Sequence, residues 1–253
     1  MGFDVTADAY ASFMGRFSEP LARQLVELLD PAPGDRALDV GCGPGTLTAV
    51  LADRLGADRL AAVDPSSSFV EAVRAQLPEV DVRDGAAEEL PFGDEAFDLV
   101  TAQLVVPFMT DPVRGLSEMR RVVRPGGTVA ACAWDLDHGP VHVLWRAADE
   151  LFPGASAAID LPGARDGQLV DLMTSVGLEV RLSTTLSVRV QIATFEEWWA
   201  PFAFGIGPAG EYVAGLTDGD RERLRERCVE LLPDEPLEIV GVARVATSRR
   251  AQT

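Results

Sequence analysis

The sequence predicts one α/β domain, a mostly parallel sheet with helices on both faces. Short apolar runs suited to strands alternate with amphipathic segments between 36 and 133, the order that builds a sheet from βα units. Short loops join them. The first apolar run then turns through Gly41, Gly43 and Gly45 into a segment of helical composition. Glycines so spaced let a strand turn sharply and bring bare backbone amides against a ligand.

Two amphipathic helices, 7–13 and 19–29, are expected before the first strand at 36–40. A helix at 46–55 leads to a strand at 59–63, and Ser66, Ser67 and Ser68 offer N-cap chemistry for a helix at 67–76. A short third strand falls at 80–82 and a fourth at 97–102. A helix at 111–123 then runs into Pro125-Gly126-Gly127 and a fifth strand at 128–133. Beyond it the pattern predicts helices at 141–151 and 167–175, a long strand at 178–192 and a helix at 194–204. A glycine-rich loop at 205–215, a charged helix at 218–232 and a last strand at 237–247 complete the chain. No linker or internal repeat divides it, so 1–253 reads as one domain.

At 253 residues and 47% hydrophobic content the chain can bury a sizeable core. Lys plus Arg number 22 against 40 Asp plus Glu, a net charge of -18 that repels phosphate backbones and anionic lipid. Nucleic acid and membrane partners are therefore not expected. Cys42, Cys132 and Cys228 form no C-x-x-C pair, so neither a disulfide framework nor a metal site is expected, and a reducing cytoplasm fits. The acidic start, Met1-Gly2-Phe3-Asp4, lacks the apolar run of a signal peptide.

The stretch Ala37-Leu38-Asp39-Val40-Gly41-Cys42-Gly43-Pro44-Gly45-Thr46 carries most of the chemistry. A dinucleotide fold would read G-x-G-x-x-G, and its third glycine would fall at position 46, which is Thr46. Asp64, closing the second strand, does not discriminate, since either fold binds a ribose diol with such a carboxylate. A P-loop is excluded because no Gly-Lys-Ser/Thr follows.

These residues resemble motif I, D/E-x-G-x-G-x-G, of the class I S-adenosylmethionine (SAM) dependent methyltransferases. Asp64-Pro65-Ser66 is similar to the family's ribose-binding strand end. The run 84–92 resembles its G-D-A-x-x-L-P-F adenine loop. Strand four with Asp111-Pro112, and Arg124-Pro125-Gly126-Gly127, resemble the turn into strand five. The resemblance covers 37–134 and points to the small-molecule branch that includes the ubiquinone and menaquinone biosynthesis methyltransferases. It implies a Rossmann-like seven-stranded sheet of order 3-2-1-4-5-7-6, the last strand antiparallel, with a helical lid insertion. The family's adenine-binding Asp falls at Ala86, and Pro107 stands where many relatives carry His.

The resemblance implies a helical cover at 1–34, a cofactor-binding core at 35–135 and a substrate-side half at 136–253 with a lid around 194–216. The cofactor residues it implies begin with Tyr10, Arg16, Asp39, Gly41, Cys42, Gly43, Gly45 and Thr46. They continue through Asp64, Pro65, Ser66, Gly85, Ala86, Ala87, Glu88, Gln103 and Leu104. Asp64 would take both ribose hydroxyls. Arg16 or Tyr10 would meet the methionyl carboxylate, and Asp39 its cationic end. Plainer alternatives are a bracing acid for Asp39, an Asp-Pro turn for Asp64, a surface amide for Gln103 and a solvated Arg16.

Substrate-side candidates are Phe13, Phe108, Trp134, His142, Trp198, Trp199 and Phe202. Adjacent tryptophans cannot share one helical face, so one of the pair is expected to face a cleft or the surface, with core packing as the alternative. His138 and His142 are the two histidines and the available candidates for a general base. Methyl transfer from a sulfonium needs alignment above all, and positioning supplies ~7–11 kcal/mol, so no obligatory triad is expected. The reading is methyl transfer from SAM, leaving S-adenosylhomocysteine (SAH), to O, N or C of a small aromatic or hydrophobic molecule, by a monomer or homodimer. A SAM-binding enzyme repurposed for another reaction, such as a cyclisation, is the alternative, because fold and cofactor site do not fix the reaction.

Overall fold

The computed structural model describes residues 14–203, 205 and 207–252. The expected helix at 7–13, with Tyr10 and Phe13, lies outside the described residues. Seven strands form one sheet of order β3-β2-β1-β4-β5-β7-β6: β1 (Ala37–Val40), β2 (Leu60–Asp64), β3 (Asp81–Asp84), β4 (Phe97–Gln103), β5 (Val123–Trp134), β6 (Leu178–Ile192) and β7 (Leu237–Arg250). Strands β1 to β5 pair in parallel. Strand β7 runs antiparallel to both β5 and β6. The order implied by motif I and its companions is the order found.

Alternation along β1 explains how one sheet serves two cores. Ala37 packs with the helices on one face, and Leu38 and Val40 pack on the other. The first face is covered by α1 (Arg16–Leu29), α2 (Thr46–Leu55) and α3 (Ser67–Gln76), through Leu21, Leu25, Leu47, Leu51 and Val73. The second is covered by α4 (Pro112–Val122) and α6 (Gln168–Ser175), through Leu116, Met119 and Met173. The helices α5 (His142–Leu151), α7 (Phe195–Ala203), α8 (Gly207–Gly215) and α9 (Asp218–Leu231) extend the first core.

Four expectations are corrected. The third strand begins at Asp81 and ends at Asp84, because its register with β2 extends to Asp64↔Asp84. The segment expected as a loop at 205–215 contains the helix α8. Pro208 at its start has the fixed φ that a first helical turn accepts, and burial of Ala209 and Val213 outweighs the glycines. Strand β7 continues past 247 to Arg250, where Arg250 Nη1 donates to the carbonyls of Arg120 (3.2 Å), Arg121 (3.1 Å) and Val123 (2.8 Å). A polar strand end is thus held by the unsatisfied carbonyls of a helix terminus. Finally, Trp198 and Trp199 are both buried, at 3% and 7% exposure. The i,i+4 pairs Phe195/Trp199 (stacked, 6.0 Å) and Trp198/Phe202 (edge-to-face, 5.0 Å) fill two neighbouring faces of α7. The Arg225 guanidinium from α9 covers Phe195 at 5.1 Å.

Candidate active site

The site forms where the strand order reverses, at the carboxyl ends of β1, β2 and β4. The turn after β1 is held by its own amides. Gly41 N and Cys42 N both donate to Val63 O, at 2.8 and 3.1 Å. Gly43 N donates to Asp64 Oδ2 at 2.8 Å, and Ser66 N donates to Asp64 Oδ1 at 2.9 Å. One carboxylate thereby fastens the glycine turn to the end of β2.

The three glycines have different tasks. All have positive φ, at 69°, 54° and 90°, a region costly for other residues. A Cβ on Gly41 would lie 2.5 Å from Val105 Cγ2, and one on Gly45 would lie 2.9 Å from Val73 Cγ2. Those two glycines permit protein packing. A Cβ on Gly43 would meet no protein atom within 4 Å and would project into the open cleft.

Asp39 is 1% exposed, and its Oδ2 accepts from Thr48 Oγ1 at 2.7 Å. Burial pushes its carboxyl up to about 7, nearby Asp64 adds to the rise, and the Thr48 hydroxyl opposes it. Asp64 is also raised, by burial against the opposing amides of Ser66 and Gly43. The Cys42 thiol is driven up by burial and by both carboxylates, which keeps it protonated and inert.

At the end of β4, Leu104 adopts φ 64°, a sparsely populated conformation for a leucine. Its amide donates to Cys132 O at 2.9 Å. Gln103 Nε2 donates to Ser18 O at 3.2 Å, while its Oε1 is buried with no hydrogen-bond partner.

Around these groups lies a cleft of about 680 Å³, lined by Gly41, Gly43, Asp64, Pro65, Ser66, Ala86, Ala87, Glu88, Gln103, Leu104 and Phe108. A small polar recess opens among Ser18, Asp39, Cys42, Thr46 and Gln103. Beyond it is an apolar pocket of about 120 Å³ walled by Met14, Leu104, Phe108, Trp134, Leu136, Trp145 and Leu161. Cleft and pocket share Leu104 and Phe108.

Several expected site residues lie elsewhere. Arg16 is ion-paired with Glu197, tying α1 to α7, and lines a crevice with Trp198 and Pro140. Gly85 sits in a turn where a Cβ would crowd Val63 Cγ2 (3.1 Å) and Pro91 Cδ (3.2 Å), outside the cleft wall. His142 Nδ1 is hydrogen-bonded to Gly139 O at 2.8 Å, and its ring is not part of the pocket wall. His138 is bound through Nδ1 to Asp135 Oδ1 at 3.1 Å, with its side chain 69% exposed. Trp198, Trp199 and Phe202 belong to the core described above, not to the pocket wall.

Other residues enter unannounced. Pro107 lines the apolar pocket, as do Ala164 and the start of α8. Asp135, 3% exposed, accepts through Oδ1 from Asp137 N (2.8 Å) and His138 N (3.0 Å), and its Oδ2 is paired with Arg244 Nη2 at 2.5 Å. This buried acid pins the loop that walls the pocket. Trp145 had a signal, since it lies one helical turn from His142. The Asp135–Arg244 pair had none, because no local pattern joins residues so far apart in the chain.

Known proteins resemble this chain in sequence and in fold. A methyltransferase-domain family matches residues 38–131. The nocamycin O-methyltransferase of Saccharothrix syringae is 33% identical over 227 residues, covering 79% of this chain and 79% of that protein. The chain belongs to the methyltransferase family. Against the demethylmenaquinone methyltransferase of Renibacterium salmoninarum it is 36% identical over 125 residues, 49% of this chain, and it spans about half (51%) of that protein. Among solved structures, geranyl diphosphate methyltransferase in complex with SAM aligns at a TM-score of 0.56 with 17% identity, over 94% of this chain and 87% of that one. The [4+2]-cyclase SpnF aligns at 0.57 with 19% identity, over 92% and 81%. At such identities the likeness is one of fold. The methyltransferase's cofactor is SAM. Among the described residues, no helix is long and apolar enough to cross a membrane.

Proposed function

We propose that this methyltransferase moves the methyl group of SAM to an O, N or C nucleophile of a small apolar or aromatic molecule, chiefly by positioning. The observation that carries this reading is the meeting of the polar cleft and the apolar pocket at Leu104 and Phe108. The residues present fit SAM. Gly43 leaves room for close backbone approach, and the Asp64 carboxylate, though bonded to two amides, retains acceptor capacity for a ribose diol. The unpartnered Gln103 Oε1 and the carboxylate of Asp39 supply acceptors for a cationic ammonium or sulfonium. Ala86, Ala87 and Glu88 line the part of the cleft that would hold the adenine.

When bound, SAM supplies an electrophilic methyl on a cationic sulfur. The chain does the rest. Asp64 and the glycine turn orient the donor, while Trp134, Trp145, Leu136 and Phe108 exclude water and hold the acceptor in line. Alignment of this kind accounts for ~7–11 kcal/mol of barrier. Asp135, fully engaged by Arg244 and the loop amides, braces the wall and does not serve as a base.

The test is a screen of apolar acceptors with methyl-labelled SAM. Label transfer with equimolar SAH supports the reading. Conversion of an acceptor without SAH release means that the site performs another reaction.

A further inference from the structure

A separate cavity of about 220 Å³ lies between the start of α6 and the middle of the β6–β7 hairpin. Its wall is rich in hydrogen-bond donors. Arg165 lines this cavity, and its guanidinium makes no hydrogen bond or ion pair with any described residue. That is unusual in a chain of net charge -18, where most arginines are paired. Opposite it, Arg244 spends Nη2 on Asp135 and Nη1 on Asp166 (2.5 Å each), leaving Nε buried with no acceptor. Ser183, Thr184 and Thr185 of β6 line the same cavity, and the alternation of the strand puts the hydroxyls of Ser183 and Thr185 on the face of Arg244, with Thr185 directly across the hairpin from it. One carboxylate on the wall, Asp166, is ion-paired with Arg244, and its side chain is 93% exposed.

We propose that this cavity binds a phosphate or a small phosphate ester, with Arg165 as its principal partner. A planar guanidinium presents a fork of donors suited to an oxyanion. Arg165 stands on the wall before α6, and Ser183 and Thr185 stand on the strand wall across from it. A tetrahedral phosphate offers three acceptor oxygens to such donors, whereas a carboxylate offers two in one plane. The site is distinct from the cofactor cleft, and the proposal does not depend on the methyl-transfer reading. Arg244 nevertheless links it to the acceptor pocket, because its other arm holds Asp135.

The experiment is a calorimetric titration of the full chain with inorganic phosphate at low ionic strength, with acetate as a parallel arm. Saturable one-to-one phosphate binding, weaker for acetate, is expected. Arg165→Gln should weaken phosphate binding at least tenfold, and Arg249→Gln, an exposed arginine elsewhere on β7, should leave it unchanged. Arg165 has no partner among the described residues, so circular dichroism and melting temperature should not change in Arg165→Gln. Absence of phosphate binding, equal or tighter binding of acetate, or binding indifferent to Arg165→Gln would each overturn the assignment.

Discussion

The raised carboxyl of Asp39 makes cofactor binding a proton-linked event. In the ligand-free protein this group titrates near 7 because burial disfavours its charge and Asp64 lies close by. A cationic ligand favours the carboxylate, so binding should release a proton wherever the free protein holds one. If only the carboxylate form binds, the apparent dissociation constant scales as one plus the protonated-to-ionised ratio. That factor is about 1.1 at pH 8 and about 11 at pH 6, a weakening of about tenfold. The stability of the ligand-free fold runs the other way. A folded-state value above the ordinary 3.8 gives stability that is fully present below that value and lost as pH rises through about 7. A shift of that size amounts to on the order of 4 kcal/mol. The assay is SAH titration calorimetry from pH 6 to pH 8 on wild type and Asp39→Asn. The variant should bind SAH more weakly at pH 8, lose most of the pH dependence and melt no lower than wild type when ligand-free at pH 8. A flat wild-type profile, or a tenfold slope retained in Asp39→Asn, would refute the linkage.

Gly43→Ala should cost only ~1–2 kcal/mol of stability, the penalty of a positive φ, while raising the SAH dissociation constant at least tenfold. Denaturant melts and calorimetry separate the two effects. Arg16→Ala should leave SAH affinity within twofold, because its partly exposed pair with Glu197 is worth about 0–1 kcal/mol. A tenfold loss would instead give the guanidinium a role at the methionyl carboxylate. Trp198→Ala should destabilise the fold by ~3–5 kcal/mol in urea without changing the SAH affinity of the folded protein. A selective loss of SAH binding there would mean that α7 contributes to the cleft.

The fold of residues 37–134 was legible because its determinants are local. Strand β1, the glycine turn and the acid ending β2 are short-range patterns, and the family resemblance that they carry implied the sheet order that is found. The C-terminal half was less legible because tertiary packing decides it. Helix α8 forms in a glycine-rich segment because Ala209 and Val213 are buried there. The tandem tryptophans are both covered because neighbouring elements close over two faces of α7. The rings of His138 and His142 are held through Nδ1 by Asp135 and Gly139, contacts that no local pattern announced. The left-handed Leu104, where cleft and pocket join, has no signature in a sequence without glycine at that position.

The most direct test of the central claim is calorimetric titration of ligand-free protein with SAH and with NADH, on wild type and on Asp64→Asn. The expected result is one-to-one SAH binding, no heat from NADH, and at least a tenfold loss of SAH affinity in Asp64→Asn. NADH binding, or silence towards SAH in protein shown to be ligand-free, would contradict the assignment of the cleft between β1, β2 and β4 to SAM.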